Sequence, residues 1–242
     1  MRSPLEQFEN HVVVFTNLFG VTGGLTTVGV TALFNTAALL GVTALAVVRP
    51  GVTRVGALQT GVEGWWSALA GVVRQQLGRD ARLTPLFVWT FGWIALNNLV
   101  GLFPGSPTTT AQLSTTLALS LGFNLGFFVW GVYHHGDRFF GLFVPAGAPP
   151  VLLPLIVVIE VVSYCIRPVS LALRLFANMM AGHTLVHILL KFNAGVALGV
   201  YPLVVVGIFA VTVLEFGIAL LQAYVFVVLC CIYFKDALSP GH

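Results

Sequence analysis

The amino-acid sequence predicts an all-α membrane protein. We expect one N-terminal span, an amphipathic inner-surface helix, a transmembrane hairpin and a long, strongly tilted C-terminal helical hairpin, all in a single membrane domain of residues 1–242. Hydrophobic residues make up 57% of the chain and only 8% are charged, against about 25% charged residues in soluble domains. The mean hydropathy is +0.96. A water-facing surface is not built from so few charges, which excludes a soluble globular domain.

The charges and cysteines exclude further classes. The net charge of +3 comes from scattered residues, so the chain lacks the basic patch of a nucleic-acid binder, and membrane lipids are its expected surroundings. Cys165, Cys230 and Cys231 all lie in apolar stretches, and we expect three small buried hydrophobic residues rather than a disulfide framework. The first residues show no signal-peptide or transit-peptide pattern, so the chain is expected either to insert through its first span or to have lost a presequence.

The first two elements differ in charge. A stretch without charged residues predicts the first span at about residues 25–48. Residues 49–82 mix five arginines and two acids with Trp65 and Trp66, a composition typical of an interfacial helix. The excess of arginine places this helix on the inner side of the membrane. The N-terminus is then predicted outside and the C-terminus inside.

The remaining spans form two hairpins. Residues 83–133 predict a transmembrane hairpin that turns at the Pro104–Pro107 cluster. Residues 151–192 and 199–234 each read as one apolar helix, roughly 63 and 54 Å long at 1.5 Å per residue. The hydrocarbon layer is about 30 Å thick, so we expect both helices to tilt strongly. The alternative is that Pro168 divides the first into two ordinary spans.

Ionisable side chains in these long helices are costly in lipid and therefore indicate function. On a helical wheel of about 100° per residue, Glu160 and Asn178 fall within about 40° of Arg174. His183 and His187 fall on the opposite face. One helix therefore carries two polar faces that are displaced along its length.

The predicted fold of the hairpin brings further polar groups to Arg174. Folding about residues 195–196 puts Glu215 opposite about residue 176 and Gln222 opposite about residue 169, so Arg174 should meet both. The structural alternatives are a static Arg174–Glu215 ion pair and interhelical hydrogen bonds of Asn178 and Gln222. A further alternative is that Glu160 extends towards the inner surface with Arg167.

The histidine pair has two interpretations. His183 and His187 are spaced i, i+4, which suits either a proton relay or two ligands of one metal ion. Two offset polar faces with a positive charge between them predict a proton path that is interrupted. A proton would pass Arg174 only on a mobile carboxyl group, supplied by another subunit.

Two motifs carry a family resemblance. The segment Ser170–His183, SLALRLFANMMAGH, and the segment Leu214–Phe226, LEFGIALLQAYVF, resemble the subunit a family of F-type ATP synthases. The start, Ser3–Glu9, looks like plant or algal mitochondrial members.

The resemblance implies a proton-translocating stator subunit with two offset half-channels that load and unload the carboxylates of a rotating c-ring. Arg174 matches the essential arginine that faces those carboxylates, and Glu160 matches the acid of the inner half-channel. The other matches are Glu215 and His183 in the outer half-channel, Asn178 and Gln222 beside Arg174, and His187 as a further relay candidate.

The resemblance also implies partners and location. The expected partners are the c-ring, the peripheral stalk and other membrane-sector subunits. The expected location is the mitochondrial inner membrane, with the N-terminus in the intermembrane space and the C-terminus in the matrix. No cofactor is required, and because the sequence lacks a GxxxxGK[ST] motif, ATP chemistry belongs to other chains. The alternatives from other classes are an ion-coupled secondary transporter and a membrane scaffold.

Overall fold

A computed structural model of the chain describes residues 12–18, 21–48, 57–78, 81–102, 109–144, 152–193 and 201–238. Within these residues the chain is mostly helical. The α-helices are α1 (Thr27–Val48), α2 (Ala57–Leu77), α3 (Thr84–Gly101), α4 (Leu113–His135), α5 (Leu153–Asn193) and α6 (Tyr201–Leu238). Short 3-10 helices cover Ala81–Leu83, Thr109–Ala111 and Gly136–Phe143.

A β-hairpin precedes the first helix and departs from the all-α prediction. Strand β1 (Val12–Leu18) pairs antiparallel with β2 (Val21–Thr26), from Val12 opposite Thr26 to Leu18 opposite Val21. Both strands contain Val and Thr, whose β-branched side chains favour extended backbone. The absence of charge in this stretch, on which the prediction relied, does not separate a strand from a helix.

Four of the described helices are long and apolar enough to cross a membrane. The candidate spans are Thr27–Ala44, Leu113–His135, Leu153–Val186 and Val204–Leu238. The chain is therefore a multi-pass membrane protein. Helix α2 lies within the region predicted to be interfacial, although residues 49–56 and 79–80 lie outside the described residues.

Helix α3 lies in the first arm of the predicted hairpin but is not among the candidate spans of the described residues. Its polar residues are hidden by packing, because Asn97 is 1% exposed and Asn98 is fully buried. The Asn35 side chain on α1 donates a hydrogen bond of 3.0 Å to Asn97. Interhelical bonds of this kind satisfy polar groups in an apolar environment. The proline-rich turn after α3 lies outside the described residues.

Helices α5 and α6 are continuous. They contain 41 and 38 residues, which corresponds to about 61 and 57 Å. Pro168 lies inside α5 without ending it, so the alternative of two short spans is not observed. The Ser120 hydroxyl on α4 donates a buried hydrogen bond of 2.7 Å to the Pro168 carbonyl oxygen. The tilt of both helices in a bilayer stays a prediction.

The core lies where α6 packs against α3, α4 and α5. One face of α6 is buried from Glu215 to Ala237. Phe127 and Phe234 are the closest aromatic pair in this core, with ring centroids 5.2 Å apart, and Phe87 contacts both rings. This packing fixes the rotation of α6 about its own axis, and so decides which of its residues face the interior.

The three cysteines do not share one environment. Cys230 and Cys231 belong to the buried face of α6, as predicted, but Cys165 is exposed on α5. The prediction for Cys165 was wrong because a lipid-facing surface is as apolar as a core, so apolar surroundings in the sequence do not imply burial.

Candidate functional site

Arg174 lies in the middle of α5 on an uncovered face. Its side chain is exposed, as are those of Ser170, Ala177 and Ala181 on the same face. Within the described ranges, Arg174 forms neither a hydrogen bond nor an ion pair. An unpaired charge among apolar residues is costly, whereas small neighbours permit close approach of another helix. This face is suited to an anionic group from another chain.

The register of α5 against α6 differs from the predicted one. The Asn178 amide donates a hydrogen bond of 3.2 Å to the Gln222 side-chain oxygen. Glu215 packs against Gly182, since a Cβ added there would lie 2.9 Å from the Glu215 carboxyl carbon. Glu215 is thus level with residue 182 rather than 176, so the predicted register was wrong for Glu215, whereas Gln222 bonds to Asn178, one turn from Arg174. The prediction placed the fold of the hairpin too early, because α5 continues to Asn193 and α6 begins only at Tyr201.

Glu215 belongs to a group of buried polar atoms without partners. The residue is 8% exposed, and its Oε1 atom has no hydrogen-bond partner within the described structure. The same holds for Gln222 Nε2 and Asn98 Oδ1. The Asn98 amide nitrogen donates a bond of 3.0 Å to the Ala219 carbonyl oxygen, one turn from Glu215. Buried polar atoms normally find a partner in protein or water, so this group of atoms, where α6 packs against α3 and α5, is suited to hold water.

A charged cluster joins the first half of α5 to the last turn of α6. The Arg167 guanidinium lies 3.0 Å from Asp236 and 3.7 Å from Glu160. It also lies over two aromatic rings, 5.8 Å from the Tyr164 centroid and 5.4 Å from the Tyr233 centroid. Glu160 is therefore not isolated, because it shares its cation with an acid of α6.

The charged and polar residues are spread over three levels of the hairpin. At about 1.5 Å per residue, Glu160 lies about 21 Å along α5 from Arg174 in one direction. Gly182, which marks the level of Glu215, lies about 12 Å away in the other. Asn178 and Gln222 fall between Arg174 and Glu215. The structure brings Asn178 and Gln222 together. Within the described residues, Arg174 forms no ion pair with Glu160 or Glu215.

Sequence reasoning missed Asp236, Tyr233 and Asn98. The C-terminus was only predicted to lie inside, although an acid in the last turn of α6 can pair with an arginine in the first half of α5 once the hairpin closes. Asn97 and Asn98 stand side by side in a stretch without charged residues. Such a pair of amides at membrane depth was a usable signal.

The histidine pair is not tested by the structure. His183 and His187 lie on α5, but their side chains are outside the described part of the chain. Among the residues that are described, no group of three or more His, Cys, Asp or Glu side chains is placed to hold a metal ion. A metal at this pair stays a prediction.

Fold and site together define a class: a multi-pass helical membrane protein whose two longest helices carry polar and charged groups at separate depths. Comparison with known proteins narrows this class. The sequence model of the family described as "ATP synthase A chain" matches residues 29–235.

Relatives with the name "ATP synthase subunit a" cover nearly the whole chain. That of Parvibaculum lavamentivorans is 39% identical over 250 aligned positions, covering 99% of this chain and 94% of its own length. That of Rhodospirillum rubrum is 38% identical and covers 99% of both chains. That of Bartonella tribocorum is 42% identical over 185 positions, which is 72% of each chain.

The chain belongs to the ATP synthase A chain family. These three relatives are bacterial. The expected likeness to plant or algal mitochondrial members, and with it the mitochondrial location, has no support from them. The short N-terminal segment on which that expectation was based lies outside the family match.

Proposed function

We propose that this chain is the proton-translocating stator subunit of an ATP synthase membrane sector, and that it loads and unloads the carboxyl groups of a rotating ring. Family membership supports the activity. The observation that carries the mechanism is the uncovered Arg174, which lies between a buried acid on one side and a half-exposed acid on the other. The partners that this function needs are the ring, the peripheral stalk and further membrane-sector subunits.

The chemistry follows from the cost of charge in lipid. A ring carboxyl group that faces lipid stays protonated, because a bare carboxylate there is strongly unfavourable. Beside the guanidinium of Arg174 the carboxylate is the favoured form. The proton then leaves on the side of Glu160. A new proton arrives from the side of Glu215 and His183, which neutralises the carboxyl group and lets it move on.

The separation of the two paths gives the rotation its direction. Glu160 and the level of Glu215 are about 33 Å apart along α5, and Arg174 lies between them. A proton that enters at one level therefore reaches the other only when a carboxyl group of the ring binds it and carries it there. Each proton gains about 2.3 kcal/mol per 100 mV of membrane potential, and this gain drives the movement.

The outer path has a specific candidate lining. The unpartnered atoms Glu215 Oε1, Gln222 Nε2 and Asn98 Oδ1 would be satisfied by water molecules where α6 packs against α3 and α5. A chain of such waters would carry protons to Glu215. His183 and His187 lie near this level and would extend the relay.

The bacterial relatives favour a bacterial cytoplasmic membrane as the location. The excess of arginine in residues 49–82 supports an orientation with α2, the start of α5 and the end of α6 on the cytoplasmic side. The transporter alternative is disfavoured, because such folds bind substrates at broken helices while α5 and α6 are continuous. A passive scaffold leaves the exposed Arg174 unexplained.

Arg174→Ala tests the function directly. We expect proton-driven ATP synthesis to fall by at least about 100-fold, the scale on which one positioned cationic or hydrogen-bonding group acts, while the complex still assembles. Leu173→Ala is the matched control, because Leu173 is exposed beside Arg174 but carries no charge. Normal synthesis by assembled Arg174→Ala complexes would refute the mechanism.

Cysteine cross-linking tests the partner. In a Cys165→Ser background, which removes the exposed thiol, single cysteines at Leu173 and Ala177 should cross-link to a cysteine beside the ring carboxylate and stop rotation. A cysteine at Leu175, which is fully buried, should not. Cross-linking from Leu175 alone, or from none of the three in assembled complexes, would show that another surface faces the ring.

A further inference from the structure

Arg167 contacts an acid that the proposed proton path does not use. Its Nη1 atom lies 3.0 Å from Asp236 Oδ2, and its Nη2 atom lies 3.7 Å from Glu160 Oε1. The two acids therefore bind different nitrogens of one guanidinium. Because the contact with Asp236 is a hydrogen bond and the contact with Glu160 is longer, α6 rather than Glu160 holds the cation.

The aromatic rings on either side limit the movement of the guanidinium. Tyr164 is one turn from both Glu160 and Arg167 on α5, and Tyr233 is one turn before Asp236 on α6. Both rings lie within 6 Å of the Arg167 guanidinium carbon, a distance at which a ring face attracts a cation. With 23% of its side chain exposed, Arg167 is the most enclosed member of the charged cluster.

We infer that Asp236 is a positioning residue for proton release: by holding Arg167 away from Glu160, it keeps Glu160 able to accept and give up a proton. The inference rests on the proposed function and adds a residue to it. Without the negative charge of Asp236, Arg167 would pair with Glu160 alone. Glu160 would then hold a proton less well and would be a poorer acceptor for the proton that leaves the ring.

Other titratable groups occur on the elements packed against this end of α5. Helix α6 contributes Tyr233, Lys235 and Asp236, and α4 contributes His134 and His135. His134 stacks on Trp130 with ring centroids 5.1 Å apart. The side chains of Asp137 and Arg138 lie outside the described residues.

The experiment uses the assembled complex in membrane vesicles and varies the pH on the Glu160 side. For Asp236→Asn we expect the midpoint of the pH dependence of proton flow to move about one unit to lower pH, with a roughly 3- to 10-fold slower flow at neutral pH. Asp236→Glu should restore the midpoint. Lys235→Gln is the matched control: it changes the charge by one unit in the same turn, but it makes no contact with Arg167 or Glu160 in the described structure.

Arg167→Lys should shift the midpoint of the pH dependence of proton flow in the opposite direction. A lysine ammonium is a point charge that does not bridge two acids as a guanidinium does, so it should remain with Asp236 and leave Glu160 without a cation. The midpoint should then move to higher pH. This variant also keeps the inference testable if Asp236→Asn does not assemble.

The double variant Arg167→Gln/Asp236→Asn separates positioning from direct proton transfer. If Asp236 acts through Arg167, adding Asp236→Asn to Arg167→Gln should move the midpoint by less than about a third of a unit. A full shift in that background, or an unchanged midpoint for Asp236→Asn, would overturn the inference. If instead the wild-type complex shows no proton flow, the proposed function fails, so the two failures are distinguishable.

Discussion

The contact between Gly182 and Glu215 makes Gly182→Ala the sharpest test of the outer path. A Cβ at this position would meet the Glu215 Oε1 atom at a distance that real Cβ atoms do not show, with the carboxyl carbon at 2.9 Å and Cγ at 3.0 Å. Ordinary contact begins at 3.4 Å, so the carboxyl carbon has to retreat by about 0.5 Å and the Oε1 atom by more. Glu215 is 8% exposed, so the carboxyl group has to move within the interior of the protein.

Both ways of relieving the contact are costly. If Glu215 leaves its preferred rotamer, the cost is about 0.5–1.5 kcal/mol. If α5 and α6 move apart, overpacking costs about 1–3 kcal/mol. Because a displacement of about 1 Å at a reacting group reduces rates by up to about 100-fold, a shift of at least half that size should slow proton flow by about 10-fold or more. The complex should still assemble.

The assay is proton flow and ATP synthesis in membrane vesicles, normalised to assembled complex. Gly217→Ala is the matched control, because Gly217 lies on α6 two residues from Glu215 and a Cβ there meets nothing within 4 Å. Gly182→Ala/Glu215→Asp should recover part of the flow, since the shorter acid makes room for the methyl group. Wild-type flow in Gly182→Ala, or an equal defect in Gly217→Ala, would refute the reasoning.

Two further predictions concern other contacts. Glu215→Gln should alter the pH dependence of proton flow on the outer side only, whereas Glu160→Gln should alter it on the inner side. An unchanged outer profile for Glu215→Gln would leave that residue with a structural role. Ser120→Ala should lower the unfolding free energy in detergent by about 1 kcal/mol, because it removes a buried hydrogen bond. Ser114→Ala, at an exposed position of the same helix, should change it by less than about 0.5 kcal/mol, and equal losses would show that the buried bond contributes nothing.

The helices were predictable because strongly apolar runs at membrane length admit few other structures. With every backbone polar group to satisfy inside lipid, such runs form helices, and the single long helices predicted at 151–192 and 199–234 are observed as α5 and α6. The β-hairpin at residues 12–26 was not predicted. A short apolar stretch does not distinguish strand from helix by its hydrophobicity alone.

The register of α5 against α6 was not predictable in the same way. Apart from a few polar side chains, both helices are apolar around their whole circumference, so the sequence contains no clear apolar stripe that marks the interface. The shift of Glu215 from residue 176 to Gly182 depends on the length of the connection and on which small residue admits the carboxyl group. For the same reason the ion pair between Arg167 and Asp236 emerges only when the two helix ends are brought together.

The sequence by itself determined the class of protein, the extent of its longest helices and the residues that merit attention, because rare charges in an apolar chain are costly and therefore informative. The tertiary structure decided which of those residues meet. It left Arg174 uncovered, buried Glu215 against Gly182, and gave Glu160 a cation shared with Asp236. Side-chain packing between largely apolar faces sets the rotation and register of the helices. Hydrophobic periodicity in the sequence does not determine either of them.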